Sequence, residues 1–144
     1  MWSFRYSTKF SGVGSDNLWK AVADINSWNH WSQDVEWTKL EGEPKEGKDF
    51  FLKPKGEPKV RITISEAKFP NRFSDVTHLP GAKMNVVHSF QDVKEGTEVE
   101  ILVTISGPLG FLWKKIIGES QAKGMPEELV RLAEFAKGSK YENN

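Results

Sequence analysis

The sequence contains no cysteine, no excess of either charge and no long hydrophobic run. Without cysteine, the chain can form neither a disulfide framework nor a thiolate metal site, and it has no thiol nucleophile. Lysine plus arginine and aspartate plus glutamate both number 20, so the formal net charge is zero. A general nucleic-acid binder usually carries a basic excess, so we expect no nucleic-acid partner.

Segments that direct a chain into or across a membrane are also lacking. No stretch approaches the roughly 18 apolar residues that a membrane-spanning helix needs. The N-terminal residues Met1–Tyr6 include no apolar signal-peptide core. We therefore expect a cytoplasmic protein with no integral membrane segment.

Motifs of several site classes are missing as well. The sequence has no Gly-x-Ser-x-Gly nucleophile motif. His30 and His78 show no metal-ligand spacing, so we expect no metal site. The glycine-rich loop at residues 41–47 lacks the phosphate-binding motif and precedes a strand rather than a helix. We expect no cofactor.

What the sequence does contain is alternation of apolar and polar residues. Trp2, Phe4, Tyr6, Thr8 and Phe10 alternate with polar residues, a period of two that is typical of a strand with one buried face. The same pattern, separated by glycine and proline turns, recurs down the chain. Seven strands are predicted, over residues 2–10, 35–40, 48–53, 59–68, 72–78, 83–93 and 97–106.

Helical periodicity is found in three places. Short helices are predicted at residues 15–23 and 28–31, and one long helical segment at Gly107–Tyr141. In the long segment an apolar stripe is expected to be buried; it comprises Leu109, Leu112, Trp113, Ile116 and Ile117.

A second stripe in the same segment predicts a break in the helix. In one straight helix, Met125, Leu129, Leu132, Ala133 and Ala136 would point away from the first stripe. Pro126 cannot donate a backbone hydrogen bond and suits the first turn of a new helix. We therefore predict a kink at Gly124–Pro126. The polar tail, residues 138–144, is expected to fray.

Strands followed by one dominant helix indicate an α+β domain that spans residues 1–144. The expected architecture is a curved, seven-stranded antiparallel sheet wrapped around the long C-terminal helix, with two short helices between strands 1 and 2. The apolar face of the sheet and the apolar stripe of the helix are natural partners. A curved sheet around a helix encloses a space that side chains need not fill completely.

Several short segments, in this order, resemble the START-like helix-grip superfamily, in particular its SRPBCC branch of polyketide cyclase/dehydrase and lipid-transport proteins. They are residues 19–24, 28–31, 41–42, 47–50, 64–67, 88–90, 96–99, 105–109 and 125–129. The resemblance implies a helix-grip fold and a pocket for hydrophobic small molecules between the sheet and the last helix. Within the superfamily some members are cyclases, aromatases or hydrolases, others carry lipids, and some are co-chaperone-like.

The apolar faces and the resemblance together predict a small hydrophobic or amphipathic ligand, such as a lipid, a polyketide-like or an aromatic compound. Tyr6 or His88 would orient its polar end. The predicted lining comprises Tyr6, Trp28, Trp31, Phe50, Leu52, Ile62, Ile64, Phe73, Met84, Val86, His88, Ile101, Val103, Leu112, Trp113 and Ile116.

A cyclase/dehydratase-like enzyme using the same cavity is an alternative. His88 shares a strand face with Met84, Val86 and Phe90, so it would face the apolar interior as a ligand anchor, a general base or a satisfied core histidine. Asp75 would face inward only if Phe73 does, and an inward carboxyl would be a candidate acid or base. The simpler expectation is that Asp75 turns to solvent.

Two features leave an interaction role open. Phe111 is expected on the side of the last helix opposite the stripe, beside Lys114 and Lys115, where it could contact a partner or only a neighbouring loop. The partner is not identified by the sequence. Trp28 and Trp31 could gate the pocket, although packing against the end of the sheet is the simpler interpretation.

Overall fold

A computed structural model describes residues 1–138, so the predicted tail beyond Gly138 lies outside the described residues. Seven strands and three helical regions are present. Two short helices follow the first strand: α1 (Ser15–Ala23) and a 3₁₀ helix (Ile25–His30). The strands are β1 (Trp2–Ser11), β2 (Val35–Lys39), β3 (Asp49–Pro54), β4 (Val60–Lys68), β5 (Arg72–Leu79), β6 (Ala82–Val93) and β7 (Gly96–Ser106). The C-terminal helical region comprises α2 (Gly110–Trp113), a π-helical segment (Lys114–Gly118, called the π segment below) and α3 (Glu119–Lys137).

All seven strands form one antiparallel sheet in the order β1-β7-β6-β5-β4-β3-β2. Consecutive strands are neighbours except that β1 joins β7, which leaves β1 and β2 at the two edges. The predicted α+β helix-grip architecture is confirmed: a curved sheet with a long C-terminal helical region and two short helices between the first two strands. Every predicted strand boundary lies within one residue of the observed one, because the period of two ends at glycine or proline turns.

The register aligns the inner-face side chains in rows that cross the sheet. One row runs from Tyr6 through Ile101 and His88 to Phe73. The adjacent row runs from Phe4 through Val103, Val86 and Asp75 to Ile64. Because the pleat sends alternate residues to opposite faces, all of these side chains face the helices.

One end of the sheet is closed by the 3₁₀ helix and α3. Trp28 packs edge-on against Phe50, with ring centroids 5.4 Å apart, and its indole N–H donates to the Val22 carbonyl at 2.8 Å. Arg131 Nε of α3 donates to the Trp31 carbonyl at 3.0 Å. Trp28 and Trp31 are therefore core residues that seal this end of the sheet, as the simpler interpretation predicted.

The C-terminal helical region does not bury the stripe that its sequence suggested. Leu112 and Ile116 are 44% and 49% exposed. Gly118, Met125, Leu129, Leu132 and Ala136 are buried instead. Their spacings of seven, four, three and four residues place them on one helical face. The expected burial of the stripe was wrong for Leu109, Leu112 and Ile116, whereas Trp113 and Ile117 pack against the core. The face that carries Gly118 approaches the sheet more closely than a face with leucine side chains could.

Gly118 allows that close approach. A β-carbon at this position would lie 2.9 Å from the Trp2 ring and 3.1 Å from Ile105 Cδ1. Since Gly118 belongs to the same face as the buried residues of α3, the helix needs no change of direction after it.

The predicted break of the helix at Gly124–Pro126 is not observed. Helix α3 runs through Pro126 without interruption. Pro126 and Gly124 are both exposed, so the missing hydrogen bond of proline falls on the solvent side, where water can replace it. The irregularity of the C-terminal region is the π segment, eight residues before Pro126. Over residues 1–138, no helix is long and apolar enough to cross a membrane.

Replacing Pro126 by alanine should stabilise the protein, because Pro126→Ala restores an N–H that can bond to the Ala122 carbonyl. We expect the free energy of unfolding to rise by about 1–2 kcal/mol. Gly124→Ala should add up to about 1 kcal/mol, since its new β-carbon meets no atom within 4 Å. Both changes can be measured by urea denaturation.

Gly118→Ala is the matched control. The same substitution at the buried glycine should lower the free energy of unfolding, because the new methyl group meets Trp2 and Ile105. A loss of stability in Pro126→Ala would contradict the continuous α3.

Candidate functional site

The inner face of the sheet collects most of the residues that the sequence proposed as ligand-lining. Tyr6, Leu52, Val86 and Trp113 are partly buried and pack on the core. Leu112 and Ile116 lie on the surface. The remaining sheet residues on that face are buried: Phe50, Ile62, Ile64, Phe73, Met84, His88, Ile101 and Val103.

Asp75 is the unexpected member of this wall. It is only 4% exposed and faces inward together with Phe73 and Thr77. The expectation that it would turn to solvent was wrong: the bulge in β4, between Ile64 and Glu66, leaves the alternation of β5 intact. Among the residues that the structure describes, the Asp75 carboxyl has no hydrogen-bond or ion-pair partner.

A buried carboxyl without partners is costly to ionise. Its neighbours across the sheet are Ile64 on one side and Val86 on the other, both apolar. Burial raises the pKa of Asp75 from its ordinary value of 3.8 to about 7. Near neutral pH the group is therefore divided between a neutral acid that can donate a proton and a carboxylate that can accept one.

His88 is held in a defined tautomer on the neighbouring strand. Its Nδ1 lies 3.1 Å from the Phe73 carbonyl oxygen. Because that oxygen can only accept, Nδ1 carries the hydrogen and the unprotonated Nε2 is an acceptor. Burial lowers the pKa of His88 from 6.5 to about 4, so the ring is neutral at physiological pH.

Asp75 and His88 belong to adjacent rows of the inner face. Asp75 pairs with Val86, which is two residues from His88, so the two groups are diagonal neighbours roughly 7–8 Å apart at the backbone. Together they present acceptors in an apolar wall. This arrangement suits a ligand that offers a hydrogen-bond donor. A carboxyl that titrates near pH 7 can also transfer protons, as the enzyme alternative requires.

The best-formed concavities do not lie in the interior. The two best-formed concavities of the described chain, of about 600 and 480 Å³, lie on the outer face of the sheet. The expected cavity beneath the C-terminal helix is not among them. Its place is occupied by the packed core, which includes Met125, Leu129 and Leu132 of α3.

The segment that covers the other end of the sheet carries unburied apolar surface. Leu109, Phe111, Leu112 and Ile116 are all exposed, and Phe111 is the most exposed of them at 66%. The segment is attached to the sheet at the β5–β6 turn, where Trp113 Nε1 donates to the Pro80 carbonyl at 2.8 Å and the Leu109 amide donates to the Gly81 carbonyl at 2.9 Å. We call these four exposed side chains the α2 patch.

Two residues of interest were missed by the sequence analysis. Phe4 lies in the same cross-sheet row as Asp75, and the alternation that selected Tyr6 also placed Phe4 on this face. Trp37 is an exposed ring at the edge of the sheet. Its outward position could have been found from the alternation of β2, except that a bulge between Val35 and Trp37 shifts the pattern.

Comparison with known proteins gives a fold but no sequence family. No protein-family model matches the chain, and no curated protein matches it by sequence. Protein CV1439 from Chromobacterium violaceum has a similar structure, with a TM-score of 0.71 and 16% identity, covering 95% of this chain and 98% of that one.

Two further structures are similar over nearly the whole chain. Ara h 8.0201 has a TM-score of 0.73 at 12% identity, covering 96% of this chain and 99% of its own. DynU16, a protein of the dynemicin biosynthetic locus, has a TM-score of 0.70 at 15% identity, and the match covers 94% of this chain but 47% of DynU16. At these identities the likeness establishes the fold alone: the chain has a helix-grip fold.

Proposed function

We propose that the protein binds a small amphipathic ligand between the inner face of the sheet and the α2–π region. The ligand carries a hydrogen-bond donor, such as a hydroxyl group, that donates to Asp75 or to His88 Nε2. The observation that supports this most is the Asp75 carboxyl, which faces an apolar interior without any partner in residues 1–138. Buried polar groups are normally paired, so an unpaired one in a core marks a site.

The apolar part of the ligand would contact the partly buried side chains of the same wall. Tyr6, Leu52 and Val86 face inward yet keep some accessible surface. Trp113 packs on the core from the helical side. Burial of apolar surface contributes about 25 cal/mol per Å², which would supply most of the affinity.

The ligand would enter by displacing the segment that covers this part of the inner face. The α2–π region is the element best suited to move. A π-helical turn has weaker, rearranged hydrogen bonding and often occurs at functional sites. Leu112 and Ile116 are exposed and contribute little burial energy to the fold. Covering each of them with ligand would contribute roughly 1 kcal/mol to the free energy of binding. In this proposal they line the ligand-bound state.

The similar structures support a small-molecule role only by analogy of fold. DynU16 belongs to a biosynthetic locus, which is the setting of small-molecule chemistry. Whether a ligand is also converted depends on the proton that Asp75 can hold near pH 7. Incubation with a co-purified compound, identified by native mass spectrometry, would separate turnover from binding.

An interaction module is the second candidate function, because the four side chains of the α2 patch expose apolar surface on one short segment. In that case the four side chains would be covered by a protein partner and not by a ligand from the interior. The two candidates differ in which substitutions in the patch affect ligand binding.

The first test of the proposal compares two probes of the same ring, 2-naphthol and 2-methylnaphthalene. We expect 2-naphthol to bind more tightly by about five- to tenfold, because its hydroxyl donates to Asp75 or His88. Asp75→Val should remove this preference while leaving the affinity for 2-methylnaphthalene unchanged or higher. Binding can be followed by NMR titration.

Glu98→Val is the matched control, since Glu98 is an exposed carboxylate on the outer face of β7. It should keep the preference for 2-naphthol. Equal affinities of the two probes in the unmodified protein would refute the role of Asp75.

The α2 patch provides a second test. Ile116→Ser should weaken the binding of 2-naphthol by roughly fivefold, because Ile116 would be covered in the bound state. Phe111→Ser removes a larger and more exposed side chain on the same segment, yet it should leave the affinity unchanged. Equal effects of the two substitutions, or no effect of Ile116→Ser, would favour the interaction module. Isothermal titration calorimetry gives both affinities.

Asp75 and His88 should also affect stability in opposite directions as the pH changes. Between about pH 4 and 7 the folded protein keeps the Asp75 proton that the unfolded chain has lost, so stability falls as pH rises. Between about pH 6.5 and 4 the unfolded chain binds a His88 proton that the folded protein excludes, so stability falls as pH decreases. In their common range the two slopes largely cancel.

Single substitutions should reveal how each residue makes the free energy of unfolding depend on pH. In Asp75→Asn the free energy of unfolding should rise between pH 4 and 6.5, and above pH 7 it should exceed that of the unmodified protein by up to about 4 kcal/mol. In His88→Gln it should instead fall between pH 4 and 7. Urea denaturation at several pH values measures both, and other titrating groups cancel in the difference between variant and unmodified protein. Parallel curves for all three proteins would contradict the burial of these groups.

A further inference from the structure

One of the two concavities on the outer face of the sheet is separate from the proposed interior site and is lined by aromatic and charged residues. It measures about 600 Å³ and lies over β2, β3 and the start of β4. Its walls include Trp37 and Lys39 of β2, Phe51 of β3, and Lys59 just before β4. The surface therefore combines two large rings with positive charge.

The two rings stand apart with open space between them. Trp37 and Phe51 are 36% and 39% exposed, although both could have been buried on the inner face. In the register, Lys39 pairs with Phe51 and Trp37 pairs with Lys53, so the rings are diagonal neighbours on adjacent strands. Within the described part of the chain they make no ring contact with each other.

The charged side chains around the two rings differ in whether they have hydrogen-bond or ion-pair partners. Asp49 accepts hydrogen bonds from Arg61 at 3.0 Å and from Thr63 at 2.6 Å. Lys48 donates to the Glu41 backbone carbonyl, which leaves the Glu41 carboxylate at the rim as the other acidic group of the lining.

Lys39 and Lys59 have no carboxylate partner among residues 1–138. Lys59 Nζ lies 4.8 Å from the centroid of the Phe51 ring, a cation–π contact. Lys39 is the direct cross-strand neighbour of Phe51 on the other side. The Lys59 ammonium group therefore lies against the Phe51 ring, and Lys39 lies beside that ring on the adjacent strand.

We infer that this concavity binds a planar aromatic anion, such as an aryl carboxylate, with its ring between Trp37 and Phe51 and its anionic group between Lys39 and Lys59. Stacking on exposed rings and charge pairing with two free ammonium groups account for the affinity. The site is independent of the interior site, which offers acceptors and prefers a neutral donor. Derivatives of one ring system should therefore bind at the outer concavity or at the interior site according to their charge.

The test is an NMR titration of the full chain with 2-naphthoate, observing the Trp37 indole N–H. We expect a saturable shift of this signal, and none with 2-methylnaphthalene, which has no charge. The double variant Lys39→Gln/Lys59→Gln should weaken 2-naphthoate binding by roughly fivefold or more, since partly exposed ion pairs are individually modest. Higher salt should also weaken it.

Lys45→Gln/Lys55→Gln is the matched control, because it removes two exposed lysines of the neighbouring loops that do not line the concavity. Its affinity should equal that of the unmodified protein. Equal weakening of 2-naphthoate binding in both double variants would mean that only the net charge matters, and it would overturn the proposal. NMR shifts confined to inner-face residues such as Val86 would also overturn it. None of these outcomes depends on the binding of 2-naphthol to the interior.

Discussion

The apolar inner face of the sheet must be covered, and most other features of the molecule follow from that requirement. Rows of side chains cross five strands with few polar interruptions, and each fully buried member, such as Phe73 or Ile64, contributes about 1.5–3 kcal/mol through burial. Neither edge strand can provide the cover. The short helices seal one end through Trp28 and Trp31, and the C-terminal helical region covers the rest.

Within this wall, Asp75 and His88 are polar exceptions. Their pKa values move in opposite directions for the same reason, since burial disfavours the charged state of each. The pair therefore contributes hydrogen-bonding capacity without a fixed charge. That combination explains why we place a ligand's polar end there, and why the outer concavity, with its free lysines, selects the opposite kind of molecule.

The C-terminal helical region shows how local pattern and tertiary contact can disagree. Leu112 and Ile116 suggested the buried face, whereas Gly118 is the residue that meets the sheet. Close approach of the helix to Trp2 and Ile105 depends on a missing side chain, and apolar patterns cannot reveal this. Gly118 determines which face of the helical region meets the sheet. Met125 and Leu129 lie on the same face, and Pro126 lies on the solvent side.

The sequence by itself determined the seven strands, their turns and the helix-grip arrangement, because a period of two ended by glycine and proline depends only on nearby residues. It also indicated that His88 faces inward with Met84 and Phe90. Only the tertiary structure decided that Asp75 is buried without a partner, that Met125, Leu129 and Leu132 of the last helix join the core, and that Trp37 and Phe51 border a concavity. These depend on which strand lies beside which, on a bulge that shifts one strand by a residue, and on how closely the helix approaches. All three are distances between parts of the chain that are remote in sequence.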